Sequence, residues 1–215
     1  AAVLVHDSYA NVNIHACVHQ FTHVNGIVLD LGFSSAHVDD PSRGFSFRSD
    51  GPLDMRYDVS SGITAADIVN TWSEDELARM FRLYGEEPKA RDIAKAILTR
   101  RRKHLFERTG EFSECVKEVV FQKGKIHPAT QVFQALRIAV NDELGELTRA
   151  LPDFVDLLIP GGRLAVITFH SLEDRLVKTF MKERSDLLII TKHVVTPSKE
   201  EIKENPRSRS AKLRV

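Results

Sequence analysis

The sequence has few cysteines and no apolar run long enough to cross a bilayer. Its 215 residues contain two cysteines, Cys17 and Cys115, which form neither a disulfide framework nor a metal-ligand motif, so we expect a reducing compartment. A membrane-spanning helix needs about 18 consecutive apolar residues, and no stretch approaches that length. No charged-then-apolar secretory leader is visible either. We therefore expect no membrane association.

The sequence also lacks an excess of charge of either sign. Lysine plus arginine equals aspartate plus glutamate at 30 each, so the molecule as a whole has no net field to attract a polyanion. Any contact with nucleic acid must come from local basic segments. Two are present, at Arg100–His104 and at Asn205–Arg214. A solvated helix end, favoured by the helix dipole, is the usual explanation for a run such as the first.

The predicted strands and helices follow an order that is typical of an α/β fold. Short apolar runs predict strands at residues 1–5, 26–31, 163–169, 187–192 and 210–215. A block of helices separates the second of these strands from the third. This order indicates an α/β sheet with a helical insertion at about residues 62–127, flanked by residues 1–61 and 128–215.

Capping patterns and periodicity place several of the helices. Thr64-x-x-Asp67 and Ser73-x-x-Glu76 are capping boxes, in which a hydroxyl and a carboxylate satisfy the first N–H groups of a helix. Apolar residues from Phe133 to Leu151 repeat at three- and four-residue steps and predict one amphipathic helix. Pro160–Gly162 predicts the turn after it, and not a phosphate loop, because no further glycine or helix start follows at the needed spacing.

Polar residues follow three of the predicted strands, at His6–Tyr9, Asp30–Ser35 and His170–Asp174. In an open parallel sheet, ligands bind beyond the carboxyl ends of the strands, so these three loops predict a binding site. Ser171 and Asp174 could equally well cap the next helix. That explanation is weaker for Asp30, because a carboxylate at the end of a buried strand costs free energy unless it has partners.

Three histidines have the spacing of metal ligands. His15, His19 and His23 are four residues apart and could share one face of the helix predicted at residues 11–21. No acidic residue or cysteine completes such a set, and the spacing alone is a weak signal. We therefore predict a solvated helix face and no metal site.

Several long motifs, taken in order, resemble one known family. They are Gly26–Ser35, Arg43–Phe47, Asp50–Arg56, Phe133–Ile138, Asn141–Leu144, Pro160–Leu164, Phe169–Arg175 and Asn205–Arg214. They are similar to the ribosomal small-subunit RNA cytidine-N4 methyltransferases of bacteria and, as a relative, of mitochondria. The resemblance covers nearly all of residues 26–215. It implies a Rossmann-like, S-adenosylmethionine-dependent methyltransferase core at residues 1–61 and 128–215, with residues 62–127 as an inserted helical sub-domain for substrate recognition.

The sequence departs from the family pattern in three features. Family members begin with a glycine-rich loop and a ribose-binding acidic residue, and neither is present in this sequence, which resembles the family from its third strand onward. Either the protein has lost this segment or the segment lies upstream of these 215 residues. His37 stands where glutamine is usual, and Tyr9 stands where phenylalanine is commoner. Without the loop we expect weak cofactor binding, which keeps open a second hypothesis, a catalytically impaired factor that binds ribosomal RNA during small-subunit assembly. The large insertion and the basic segments argue against a small-molecule methyltransferase.

The resemblance implies S-adenosylmethionine as the cofactor, with Tyr9, Asp30 and His37 as its binding residues. An adenine ring could lie against the ring of Tyr9. The amine of cytosine is a poor nucleophile, and an acceptor for its N–H hydrogens would localise its lone pair. The predicted catalytic residues are Asp30, Ser34, Ser35 and His170. The two roles of Asp30, at the cofactor and at the amine, cannot be separated from sequence.

The substrate cytosine must be reached as an unstacked base. The candidate stacking residues are Phe33, Phe45, Phe47 and Trp72, with core packing favoured for Phe47 and an equal alternative for Phe33. The predicted phosphate-binding residues are Arg100, Arg101, Arg102, Arg207 and Arg209. The implied partner is small-subunit ribosomal RNA or an immature small subunit, in the bacterial cytoplasm or the mitochondrial matrix, and the resemblance leaves room for a homodimer.

Overall fold

The computed structural model describes residues 2–120 and 127–215, apart from the side chain of Ser35. The helices are α1 (Val12–Val18), α2 (Ser35–Asp39), α3 (Ala65–Thr71), α4 (Glu74–Gly85), α5 (Ala90–Arg101), α6 (Thr109–Val119), α7 (Thr130–Asn141), α8 (Glu143–Leu157), α9 (Ser171–Glu183) and α10 (Lys199–Glu204), and the strands are β1 (Val24–Asp30), β2 (Leu158–Thr168) and β3 (Lys212–Arg214). None of the helices within the described ranges combines the length and the apolar character of a membrane span. The predicted α/β class is confirmed.

The chain forms two compact units. The sheet unit contains Ala1–Gly32 and Leu144–Val215, and the helical unit contains Phe33–Glu143. Each unit buries its own hydrophobic cluster, as expected when secondary-structure elements pack around a separate core in each unit.

The sheet unit is built on three strands in the order β1-β2-β3. β1 and β2 are parallel, and β2 and β3 are antiparallel. The core between the sheet and its helices consists of Leu29, Leu31, Leu147, Ala150, Leu151, Phe154, Val155, Leu164, Val166, Val177 and Met181. The predicted turn at Pro160–Gly162 is a bulge inside β2, because Val24 pairs with Leu158 whereas Gly26 pairs with Arg163. Gly161 has a φ of +82° at this bulge, a conformation that favours glycine.

The helical unit packs α4 against α5 and α7, around side chains that are almost completely buried. The largest of them are Phe81, Phe106, Phe112, Leu53, Met55, Ile68, Leu77, Ile93, Ile97 and Leu136. Both predicted capping boxes are confirmed: Thr64 and Asp67 start α3, and Ser73 and Glu76 start α4.

Two glycines let the segment between α2 and α3 cross itself at close range. A Cβ on Gly44 would lie 2.1 Å from the carbonyl oxygen of Pro52, and a Cβ on Gly51 would lie 1.8 Å from that of Pro41. Gly44 also has a φ of +73°. No larger residue fits these positions without moving the backbone, which explains the glycines in the motifs Arg43–Phe47 and Asp50–Arg56.

Four further sequence predictions of secondary structure are wrong. Residues 2–5 are exposed and form no strand, and residues 187–192 also form no strand within the described chain. The long helix after Pro128 is two helices, because Asp142 takes a left-handed φ of 48° and ends α7. The three histidines share no helix face, because α1 ends at Val18, and His15 instead lies 2.6 Å from the carboxylate of Asp7.

Candidate active site

The carboxyl ends of β1 and β2 lie side by side, because the two strands are parallel neighbours. Asp30 pairs with Ile167, and the N–H of Leu31 donates to the carbonyl of Ile167 at 3.0 Å. The next residue, Gly32, has a φ of +100°, and a Cβ there would lie 3.3 Å from the ring of Phe169. Two of the predicted strand-end loops therefore begin at one edge of the sheet.

The carboxylate of Asp30 is exposed at this edge. Within the described residues it has neither a hydrogen bond nor an ion pair. The argument that Asp30 needs partners because it is buried is therefore wrong. An exposed carboxylate keeps all its acceptor positions available to a ligand.

His170 is used in the start of α9. Its Nδ1 accepts the N–H of Glu173 at 3.4 Å, and the carboxylate of Glu173 accepts the N–H groups of Phe169 at 2.8 Å and of His170 at 3.3 Å. The prediction that Ser171 and Asp174 form the cap is wrong, because this capping box lies one residue earlier. The contacts of His170 are those of a structural residue, and its catalytic role stays a prediction.

Asp174 does not cap α9 as the sequence predicts, but forms an ion pair with Arg214. The guanidinium of Arg214 donates to its carboxylate at 2.7 and 3.1 Å, and both side chains are nearly buried. Burial alone would raise the pKa of Asp174, but Arg214 and the nearby charge of Lys212 outweigh it and lower that pKa below its usual value. The pair joins β3 to the first turn of α9.

The third predicted loop, His6–Tyr9, is tied to the rest of the sheet unit. The hydroxyl of Ser8 donates to the carboxylate of Glu146. The ring of Tyr9 is half-buried, and its centroid lies 6.4 Å from that of Phe154 in the core of the unit. Contact with the core holds this ring, and the part of it that stays exposed is accessible to a ligand.

In the helical unit, four rings form an aromatic cluster: Phe33, His37, Phe45 and Tyr57. The centroids of Phe33 and Phe45 are 5.7 Å apart, those of Phe45 and Tyr57 are 5.6 Å apart, and both pairs are stacked. The imidazole of His37 lies 5.3 Å from Phe45 and 5.4 Å from Tyr57. Phe45 is buried whereas the other three rings are half-buried, so the cluster has an accessible side.

The environment of His37 favours a neutral imidazole. Burial and then the positive charge of Arg43 hold the pKa of His37 below its usual range. Its Nδ1 lies 3.5 Å from the hydroxyl oxygen of Ser34, which is exposed at the N-cap of α2. Ser35 is the first residue of α2, and its side chain lies outside the described part of the structure.

The other candidate stacking residues are involved in packing. Trp72 lies at the C-cap of α3, half-buried against the core of the helical unit. The ring of Phe47 stacks on that of His127 at 4.3 Å and meets Phe133 edge-on at 5.2 Å. Core packing, the favoured alternative for Phe47, is confirmed.

The predicted phosphate-binding arginines have different environments. Arg101 donates to the carbonyls of Val69 at 2.8 Å and Trp72 at 2.7 Å, so it satisfies the end of α3. Arg100 lies 3.5 Å from the carboxylate of Glu118. Of the five predicted arginines, the exposed ones are Arg102, Arg207 and Arg209.

Comparison with known proteins identifies the family. Ribosomal RNA small subunit methyltransferase H of Elusimicrobium minutum is 53% identical over 194 residues, which are 89% of this chain and 66% of the relative. The proteins of that name from Dictyoglomus thermophilum and Paramagnetospirillum magneticum are 50% identical over 215 residues (99% of this chain, 72% of the relative) and 51% identical over 213 residues (89% and 67%). The chain thus spans about two thirds of the length of these relatives.

These comparisons confirm both the resemblance and the Rossmann-like α/β fold that it implies. The family model describes the MraW methylase family, and it matches this sequence over residues 1–215. With that match from first residue to last, the chain belongs to the MraW methylase family.

Proposed function

We propose that the protein transfers a methyl group from S-adenosylmethionine to the N4 amine of a cytidine in small-subunit ribosomal RNA. The observation that carries the proposal is the exposed, unpaired carboxylate of Asp30 at the adjoining ends of β1 and β2, in a chain of the MraW methylase family. The relatives are named as small-subunit ribosomal RNA methyltransferases. Since these relatives are bacterial, we propose the cytoplasm rather than the mitochondrial matrix as its location.

Methyl transfer requires mainly that the cytosine amine be aligned with the methyl group. S-adenosylmethionine, when bound, supplies an electrophilic methyl group, and holding the amine in line with it contributes ~7–11 kcal/mol. The cytosine amine is a poor nucleophile because its lone pair is delocalised into the ring. The carboxylate of Asp30 accepts an N–H hydrogen of this amine, which localises the lone pair, and takes the proton after transfer.

The residues proposed for the cofactor fit its chemistry. The unpaired acceptors of Asp30 suit the hydroxyl and ammonium donors of S-adenosylmethionine, and the half-buried ring of Tyr9 suits its adenine. Burial holds the pKa of His37 below its usual range, and an uncharged imidazole suits contact with a positively charged sulfonium cofactor.

For the RNA, we propose a contact between the base and the half-buried ring of Phe33, and phosphate contacts from the exposed Arg102, Arg207 and Arg209. Residues 62–127 stay our predicted recognition segment, although the predictions for residues 121–126 lie outside the described residues. A homodimer remains a proposal. Nothing in the described structure favours the assembly factor without activity over the enzyme.

The test is methyl transfer from labelled S-adenosylmethionine to small ribosomal subunits and to naked small-subunit RNA. Asp30→Asn keeps the size of the side chain but removes its charge and one acceptor, and we expect it to lower kcat by 10²–10⁴-fold, the range for loss of a proton acceptor. Asp153→Asn is the matched control, because Asp153 lies near the end of α8, which leads into the amino end of β2 and not its carboxyl end. Full turnover in Asp30→Asn would remove Asp30 from the mechanism.

A further inference from the structure

Arg137, on α7, contacts the aromatic cluster through Phe33. Its guanidinium carbon lies 4.3 Å from the centroid of the Phe33 ring, well within the range of a cation–π contact. The same guanidinium donates to both carboxylate oxygens of Glu143, at 2.7 and 2.9 Å. One side chain therefore covers a face of the ring and is itself held in a fixed orientation.

These contacts close a circuit through the aromatic cluster. Arg137 lies on Phe33, Phe33 stacks on Phe45, and Phe45 stacks on Tyr57. The hydroxyl of Tyr57 donates to Glu143 at 3.0 Å, and Glu143 accepts from Arg137. Every link is a side-chain contact inside the helical unit, so moving one member disturbs the rest.

A second set of bonds fixes the same region through the backbone. The side chain of Asn141 accepts the N–H of Tyr57 at 2.7 Å. Its amide donates to the carbonyls of Met55 at 2.8 Å and Arg137 at 2.9 Å. Asn141, in the last turn of α7, therefore fixes the backbone at Tyr57 and at Arg137, two members of the circuit.

The ion pair between Arg137 and Glu143 adds little net stability to the circuit. The side chains of Arg137 and Glu143 are only 12% and 9% exposed, and removing such a pair from water costs about as much as its attraction returns. A buried pair of this kind is weak evidence for stability, whereas fixing one geometry is its best-attested use. Phe33, the ring that the pair fixes, is half-buried and lies three residues after Asp30 in the chain.

We propose that Arg137 is a positioning residue that holds the ring of Phe33 with its accessible edge toward the substrate base, because Arg137 covers one face of the ring and Phe45 stacks on it. This assignment rests on the proposed function. Arg137 touches neither substrate nor cofactor and acts through Phe33. Its loss therefore weakens RNA binding and leaves the chemical step almost unchanged.

The test is a double-mutant cycle on the full-length chain, with KM for RNA and kcat measured for the parent, Arg137→Lys, Phe33→Leu and the double variant. Lysine keeps the charge but loses the bidentate fork, so we expect KM to rise about five-fold and kcat to change less than two-fold. In the Phe33→Leu background, Arg137→Lys should change KM no further. Tyr57→Phe removes one bond of the circuit and should raise KM less, which keeps the test usable if Arg137→Lys folds poorly.

Arg56→Lys is the matched control, because Arg56 also forms a part-buried bidentate pair, with Asp54 at 2.9 and 2.8 Å. It should lower the melting temperature without changing KM. An equal effect of Arg137→Lys with and without Phe33 would overturn the assignment while leaving the proposed function intact. A parent chain with no methyl transfer to RNA would overturn both.

Discussion

Replacing Gly51 with alanine tests the close crossing of the segment between α2 and α3. The added Cβ would lie 1.8 Å from the carbonyl oxygen of Pro41, whereas ordinary contact begins at 3.4 Å. The two backbone segments must separate by about 1.6 Å, and neither is the movable end of a side chain. We expect a loss of about 3–5 kcal/mol in the free energy of unfolding, the upper range for a single substitution.

Two other glycines of the helical unit give matched controls. Gly62 has a φ of +80° but open space around its Cβ position, so Gly62→Ala should cost only the conformational term of about 1–2 kcal/mol. A Cβ on Gly110 would meet the carboxylate of Asp50 at 2.9 Å, and this exposed side chain can shift, with some lengthening of its bonds to Arg108 and to the N–H of Gly110. Gly110→Ala should therefore cost least, since alanine also favours the helix.

Urea denaturation of the three variants measures the order of the losses. We expect Gly51→Ala to lose most, then Gly62→Ala, then Gly110→Ala. A whole domain is stable by only ~5–15 kcal/mol, so Gly51→Ala could fail to accumulate in folded form. If only this variant failed, that result would also support the largest loss at Gly51. If Gly51→Ala lost no more than Gly62→Ala, the crossing would not constrain this position and the steric reasoning would be refuted.

Three further predictions concern charge and capping. Arg102→Glu should weaken RNA binding and lower its salt dependence by about one to two ion equivalents, and equal salt slopes in Arg102→Glu and the parent would contradict this. Arg101→Ala should instead lower the melting temperature, because Arg101 caps the end of α3. The pKa of Asp174 is lowered in the folded protein, so the stabilisation from its pair with Arg214 is present above pH 3.8 and is lost as the pH falls further. In acid titrations of the free energy of unfolding, Arg214→Met should therefore lose less stability over that range than the parent, and parallel curves for the two proteins would refute the reasoning. Ser73→Ala should cost about 1 kcal/mol by urea denaturation, and an unchanged midpoint would show that the cap of α4 contributes nothing.

Local signals predicted what depends on neighbours in sequence. The capping boxes of α3 and α4 need residues three positions apart, and the strands at 26–31 and 163–169 need only a short β-branched run. The start of α9 shows the limit of this method. Two capping patterns overlap there by one residue, and the usual serine pattern hid the one that the structure uses, in which His170 is the cap.

The aromatic cluster and its circuit were beyond the reach of such signals. Tyr57 and Glu143 meet although they are 86 residues apart, and nothing near either residue marks the other as its partner. The break at Asp142 was equally hidden, because neither glycine nor proline stands there to announce the end of α7. Arg137 lay inside a recognised motif, but only its contacts suggest what it does.

The parallel pairing of β1 with β2 has a consequence for how the chain folds during synthesis. β1 leaves the ribosome before the helical unit, whereas its partner β2 begins only at Leu158, after that unit. At ~5–20 residues per second, the intervening stretch takes on the order of ten seconds to synthesise. The helical unit can complete its core in that time, while the backbone groups through which β1 pairs with β2 stay unpaired. Codon changes that slow translation between Gly32 and Leu144 should therefore lengthen the exposure of β1 and increase aggregation of the nascent chain, with no change in the finished protein.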